Sequence, residues 1–354
     1  MVAGRKTEDF FMEKRGRYTG SLLLLFLLFA MTAVASHSPQ PGEAGGQQYA
    51  PDEEQILIVY TAHKKEIYEP VIKEFEERTG IWVQVVDGGT NEILGRIAKE
   101  DGMDSGDVMF GGGVDNLSAY NDYFETYECR QSEVLRSDYY DPDGKWISFS
   151  SLPIVFIYNN KLVYSAGVPT SWEELLDGNW KGKISCAAPD TSGSSCTALL
   201  TMIQVLEGEG LTQDEVITSF VDNLDGNIAP DSVRVLEEVA SGTRMIGITN
   251  EESARKQMQK GADLSMVYPV EGTSALPDGT AIIKNCPHRE NAELFMEFTV
   301  SEETQRFLVE QCNRRSVRTD ITQEAIPNEI HYDLERAAES RSEMLEKWAA
   351  LTGT

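Results

Sequence analysis

The sequence predicts an α/β protein of two lobes, each a mixed, mostly parallel sheet flanked by helices, with a ligand cleft between them. Three observations carry this prediction. Ile56-Leu57-Ile58-Val59-Tyr60 is an unbroken apolar run, as expected of a strand covered on both faces. Strand-like and helix-like segments then alternate through short Gly-rich junctions, the pattern of βαβ units. The chain has 354 residues, more than one hydrophobic core usually organises, and the alternation falls into two blocks of roughly a hundred residues each.

Each element has a local reason. After the first strand, Ile67, Val71 and Phe75 recur at a spacing of four, and Gly80 is a C-cap signal. Pro70 favours a first turn, which places the regular helix from about Tyr68 and leaves Thr61 to Glu66 as a loop. Trp82 to Val86 reads as the second strand, and Gly88-Gly89-Thr90 leads into a helix carrying Ile93, Leu94 and Ile97. Asp107 to Phe110 is a third strand, closed by Gly111-Gly112-Gly113. Trp146 to Asn159 is strand-like, and Ser171 and Glu174 form the two ends of a capping box for a helix. Ile184 to Ala187 reads as a strand, followed by a polar loop and an apolar helix over Ala198 to Leu206. Met245 to Ile248 and Leu264 to Tyr268 are further strands, with a helix over Glu251 to Lys260 between them. Helices are predicted near Asn291–Thr299, Ser301–Gln311 and Glu329–Leu351.

Composition narrows the function classes. Asp and Glu number 58 against 31 Lys and Arg, a formal net charge of −27. Nucleic-acid binding needs a basic surface to displace phosphate counterions, so this balance argues against it. Docking on an anionic membrane is disfavoured for the same reason. Leu22 to Ala35 is a short apolar stretch that follows Lys14, Arg15 and Arg17 and ends in Ala33-Val34-Ala35, the layout of a cleavable export signal. Residues 1–35 are therefore expected to be a signal peptide, with Met12 as an alternative start and an uncleaved anchor as an alternative fate. Residues 36–54, rich in Gly, Pro, Gln and Ser, read as a flexible linker. The expected location is extracytoplasmic, periplasmic or at the cell surface. Cys129, Cys186, Cys196, Cys286 and Cys312 are odd in number and lack metal-site spacing. Buried small apolar side chains are the favoured reading, with Cys186/Cys196 and Cys286/Cys312 as possible bridges.

The chemistry is expected in five strand-to-helix loops: Thr61-Ala62-His63, Gly88-Gly89-Thr90, Gly111-Gly112-Gly113, Thr191-Ser192-Gly193-Ser194-Ser195 and Thr249-Asn250. Helix N-termini offer unpaired N–H groups and partial positive charge, which suit a phosphate or carboxylate. Neutral hydroxyls add donors. Ligands of open α/β sheets bind beyond the carboxyl ends of the strands, where such loops lie.

Ile58 to Glu66, Phe75 to Ile81, Gly106 to Gly113, Trp180 to Ile184, Ser192 to Ser195, Tyr268 to Ser274 and Asn313 to Arg318 together resemble the type II extracellular solute-binding proteins of ABC importers, often labelled iron(III)-binding. The similarity spans about Gln55 to Asp320, and it looks closest to the branch that captures organic phosphates. The resemblance implies a periplasmic-binding-protein type II fold. Lobe 1 would comprise 55–150 and 268–310, lobe 2 would comprise 151–267 and 311–354, and hinges would lie near Ser150–Ile154 and Tyr268–Glu271. It further implies a small anionic ligand, no cofactor or resident metal, a monomer, and ABC permease subunits as partners. A sensor histidine kinase is the alternative partner.

The ligand contacts expected on this basis are Ala62, His63, Gly89, Thr90, Gly112, Gly113, Thr191, Ser192, Gly193, Ser194, Ser195, Thr249, Asn250, Glu251, Glu271 and Thr273. The loops would seat the phosphate, while His63, Asn250, Glu251, Glu271 and Thr273 would meet a polyol. The ferric branch of the family grips iron with adjacent tyrosines after the strand that ends here at Ile248. This chain has Thr249-Asn250-Glu251 there, and Tyr139-Tyr140 precedes the second lobe. Arg306, Arg314, Arg315 and Arg318 read as salt bridges between lobes and C-terminal helices, with attraction of an anionic ligand as the functional alternative. No HExxH, G-x-S-x-G, Walker or kinase signature is present, so an enzyme is not expected.

Overall fold

The computed structural model describes residues 51–100, 106–138, 141–163 and 167–353. The expected signal segment and Tyr139-Tyr140 lie outside the described residues. In chain order the elements are β1 (Ile56–Thr61), α1 (Lys65–Thr79), β2 (Trp82–Asp87), α2 (Thr90–Glu100), β3 (Val108–Gly113), α3 (Val114–Ser118) and β4 (Ile147–Ser151). There follow β5 (Ile154–Asn159), β6 (Ile184–Ala187), α4 (Gly193–Gly208), α5 (Gln213–Leu224), β7 (Ile228–Ala229), α6 (Ser232–Ser241), β8 (Ile246–Asn250), α7 (Glu251–Gln259) and β9 (Leu264–Val267). The chain ends with β10 (Pro277–Ile282), α8 (Arg289–Thr299), α9 (Glu302–Gln311) and α10 (Leu334–Thr352).

Two five-stranded sheets result, in the orders β2-β1-β3-β10-β4 and β7-β6-β8-β5-β9. In the first, β1 pairs in parallel with β2 and β3, and β10 runs antiparallel to β3 and β4. In the second, β6 is parallel to β7 and β8, and β5 is antiparallel to β8 and β9. One strand per sheet is therefore reversed. In each case it is the strand that has just crossed from the other lobe.

Both sheets are covered on both faces, which is why their strands read as continuous apolar runs. Leu57, Val59, Phe110 and Phe149 pack with Phe75 of α1 and Phe295 of α8, while Tyr60 and Met109 meet Ile93, Leu94 and Leu117 on the opposite side. In lobe 2, Val155 and Ile157 face Val235 and Val239 of α6, and the alternate residues Ile154 and Phe156 face the α4 and α5 layer. The C-terminal α10 buries Met344 and Trp348 on that layer.

Several local expectations need correction. The first helix starts at Lys65 rather than near Tyr68, because the Lys64 carbonyl accepts from Ile67 and Tyr68 N–H and opens a turn earlier. Pro70 sits inside this helix and removes only the N–H that would have met the Glu66 carbonyl. The strand-like stretch from Trp146 to Asn159 is two strands in two sheets, broken at Leu152-Pro153. The capping box forms, with Ser171 Oγ accepting from Glu174 N–H and the Glu174 carboxylate from Ser171 N–H, but it closes only a 3-10 turn over Glu173–Leu176. The end of the expected linker is ordered: Glu53–Gln55 form a 3-10 turn, and Asn291 donates to the Glu54 carbonyl. The cysteines follow the favoured reading of small apolar side chains: all five are unbridged, and burial pushes the Cys186 thiol up to about 12.

The lobes join where the 151–154 and 273–276 segments cross side by side. Leu152 N–H donates to Leu276 O, Ile154 N–H to Ser274 O, and the Thr273 hydroxyl to Ile154 O at 2.6 Å. The second crossing thus lies beyond the expected Tyr268–Glu271. After α9 the chain stays on lobe 1 through Val317, whose side chain belongs to that core, before passing to α10.

Candidate ligand-binding site

Six helices begin at one cleft. On the lobe 1 side these are α1 after Lys64, α2 after Gly89, and α3 after Gly113; on the lobe 2 side they are α4 after Ser192, α6 after Asp231, and α7 after Asn250. The room between them is about 410 Å³, the size of a small-molecule site. Each start is set by its sequence. Ser192 Oγ accepts from Ser195 N–H, Asp231 from Arg234 N–H, and Asn250 Oδ1 from Ser253 N–H at 2.9 Å. These caps use one N–H per helix and leave others of the first turn without an intrahelical partner. Gly111 and Gly112 have φ of +99° and +88°, which bends β3 into the cleft wall. A Cβ at Gly111 would lie 2.8 Å from the His63 ring, so the residue is small for contact as well as conformation.

Of the residues expected from sequence, Ala62, His63, Gly89, Thr90, Gly112, Gly113, Thr191, Ser192, Gly193, Ser194 and Asn250 line this cleft together. Five lie elsewhere. Ser195 and Thr249 are buried behind the cleft lining. Glu251 turns away, because both its oxygens are taken: Arg315 donates to each, and Arg255 and Tyr268 also donate to Oε1. Burial alone would raise the Glu251 carboxyl, but those donors hold it below its ordinary range. Glu271 accepts from Glu173 N–H beside the second crossing, and Thr273 is spent on the Ile154 carbonyl.

The expected inter-lobe salt bridges form at Arg314 and Arg315, but the carboxylates that complete the floor around Arg314, those of Asp278 and Glu252, were not singled out in the sequence. Arg314 is buried and spans the lobes, donating to Ser150 Oγ and Asp278 on lobe 1 and to Glu252 Oε2 at 3.1 Å on lobe 2. Burial opposes its charge, yet the two carboxylates hold its pKa above the ordinary value. His63 packs edge-on against Phe110, with Nδ1 3.6 Å from Asp278 Oδ2. Burial, then the Arg314 charge, lowers its pKa well below 6.5, so the ring is neutral. At the rim, Asp115 pairs with Arg341 of α10 at 2.9 Å, and Lys64 and Asp231 complete the charged lining. The Asn313-Arg314 motif was visible in sequence, but Asp278 lies in Pro-Asp-Gly, which signals a turn rather than a strand.

The arrangement can hold a small polar solute and has the donors for an anionic group. A family model described as bacterial extracellular solute-binding protein matches residues 109–333. The chain belongs to this family. Iron uptake protein A1 of Synechocystis sp. is 27% identical to this solute-binding protein over 73% of this chain and 75% of its own. A candidate 2-aminoethylphosphonate-binding periplasmic protein of Salmonella typhimurium is 24% identical over 79% of this chain and 81% of its own. Among solved structures, the periplasmic binding protein AfuA of Actinobacillus pleuropneumoniae, with fructose-6-phosphate bound, superimposes with a TM-score of 0.73 at 23% identity, covering 84% of this chain and 98% of that one. The fold of this solute-binding protein is the periplasmic-binding-protein type II fold, and its role is that of a transport protein of the ABC importer type, not an enzyme.

Proposed function

We propose that this protein captures a small organic phosphate, such as a sugar phosphate, outside the cytoplasm and delivers it to an ABC permease. The observation that carries the reading is the convergence of helix N-termini from both lobes on one cleft, with Thr90, Thr191, Ser192 and Ser194 hydroxyls among them. Such termini bind oxyanions without a matching side-chain charge, and lobe closure would add the second half of the shell. Residues 1–35 are proposed as the export signal, and the protein as a monomer.

The lining also weighs against ferric ion as cargo. It contains no tyrosine among the described residues, and Thr249-Asn250 are used to finish β8 and cap α7. The ferric branch uses phenolate oxygens, and the carboxylates of this lining are already engaged, Asp278 and Glu252 by Arg314 and Asp115 by Arg341. A thermal-shift panel of hexose phosphates, phosphoglycerate, 2-aminoethylphosphonate and ferric citrate tests the reading. The expected result is a rise in Tm with at least one phosphate and no visible phenolate-to-iron absorption. Stabilisation by ferric citrate alone, with that absorption band, would overturn it.

A further inference from the structure

We infer that α10 is a strap between the lobes, and that the ion pair of Arg341 on α10 with Asp115 on α3 is a latch that limits how far the cleft opens. The inference does not depend on which ligand the cleft takes. The helix itself is fastened to lobe 2. Met344 and Trp348 are buried on the α4 and α5 layer, Lys347 pairs with Asp214 of α5 at 3.1 Å, and Arg336 pairs with Glu207 of α4. Gln204 of α4 donates to the His331 carbonyl at 2.8 Å and so holds the chain just before the helix.

Halfway along the helix, Arg341 leaves that lobe. Its Nη1 donates at 2.9 Å to Oδ2 of Asp115, which belongs to α3 of lobe 1. Between the two helices lies a chamber of about 380 Å³, with Ala337, Ser342 and Leu345 of α10 on one side and Asn116 and Tyr120 on the other. The ion pair is therefore a bridge across open space rather than part of a packed seam. Asp115 Oδ1 accepts from Asn116 Nδ2 at 2.9 Å within lobe 1, while Oδ2 is given to the other lobe. Asp115 and Asn116 line both this chamber and the ligand cleft, so the pair stands in the wall between the two spaces.

The surroundings give the pair the strength a reversible latch needs. The Asp115 side chain is 7% exposed and that of Arg341 27%, so water and salt screen their attraction less than at the surface. Burial raises the Asp115 carboxyl above its ordinary range, and the Arg341 charge is the largest influence against that rise. When the lobes part, both groups regain water, which keeps the cost of separating them moderate. Lys256 of α7 and Glu66 of α1 also face each other across the lobes, at 3.7 Å, but both are far more exposed and their contact contributes little. Arg314 ties the lobes at the floor of the cleft, and Arg341 ties them at its rim. A ligand that needs the closed form binds in proportion to the closed fraction, so this latch acts on every such ligand alike.

The test is small-angle X-ray scattering of the full chain without ligand, as wild type, Arg341→Gln, Asp115→Asn, the double substitution and Lys347→Gln. Both single latch substitutions are expected to raise the radius of gyration above that of the wild type by the same shift. The double substitution should raise it no further, because the same bond is lost in all three. Lys347→Gln breaks an α10 contact within lobe 2 and should keep the wild-type radius, which separates an opened latch from a loosened helix. Circular dichroism checks each fold, and either single substitution carries the test where the other is unstable. A wild-type radius in a folded latch substitution, a double shift equal to the sum of the singles, or an equal expansion in Lys347→Gln would overturn the latch. Each of those results would leave phosphate capture standing.

Discussion

His63 shows how burial sets chemistry at a single residue. Its ring lies among Phe110, Phe149 and the Asp278–Arg314 pair, and it is neutral in the folded protein. In the unfolded chain it protonates near about pH 6.5. The unfolded state therefore binds the extra proton first as pH falls. The contribution of the neutral, buried ring to stability is present above the unfolded pKa and is lost progressively as pH drops below it. Comparing Tm at pH 7.5 and pH 5.0 should show a smaller acid-induced loss in His63→Leu than in the wild type; equal losses would contradict the buried neutral ring. Glu251 makes the complementary point. Its position after β8 suggested a ligand contact, yet its two oxygens are consumed by Arg315, Arg255 and Tyr268. Sequence position identifies the loop, whereas the partners across the fold decide which way a carboxylate turns.

The decisive elements are the helix starts. Polar and glycine loops after β1, β2, β3, β6 and β8 were legible because short Gly, Ser, Thr and Asn runs between apolar segments have a local cause: they cap helices. The α6 start at Asp231 was missed, as was α5, although Thr212 and Glu215 form a complete capping box there. Both helices carry local signals of their own: in α6, Asp231 caps the start, Val235, Leu236 and Val239 recur at helical spacing, and Gly242 ends the helix in the left-handed conformation. β10 was missed for a different reason. Pro277-Asp278-Gly279 carries turn chemistry, but buried between β3 and β4 it forms a strand with register shifts beside Asp278 and Gly279. Those irregularities put the Asp278 carboxylate beside Arg314 at the cleft. At this scale Ser192→Ala is informative. Losing the α4 cap should cost about 1 kcal/mol of stability, read as a Tm lowered by a few degrees. The same change removes a cleft hydroxyl, so hexose phosphate affinity should fall as well. Unchanged affinity with lowered Tm would confine Ser192 to capping.

At the scale of the whole molecule, the surplus of carboxylates and the choice of ligand are separate matters. A net charge of −27 describes the field of the whole chain, and it argues against a nucleic-acid partner without choosing the ligand. On the proposed function the anionic head is held by main-chain dipoles, which composition does not register. The two-lobe architecture was legible because burial on both faces of a sheet leaves continuous apolar runs. The long-range pairings were not. The 151–154 and 273–276 crossing and the Arg314 clasp join residues more than a hundred or several tens of positions apart, and no local pattern encodes them. Capture by both lobes is the central claim, and selective ¹⁵N-glycine labelling reads it directly. Titration with glucose 6-phosphate should shift the amide resonances of Gly89, Gly112 and Gly113 on lobe 1 and of Gly193 on lobe 2 together, saturating at one equivalent. Shifts confined to one lobe, or none at saturating ligand, would contradict it.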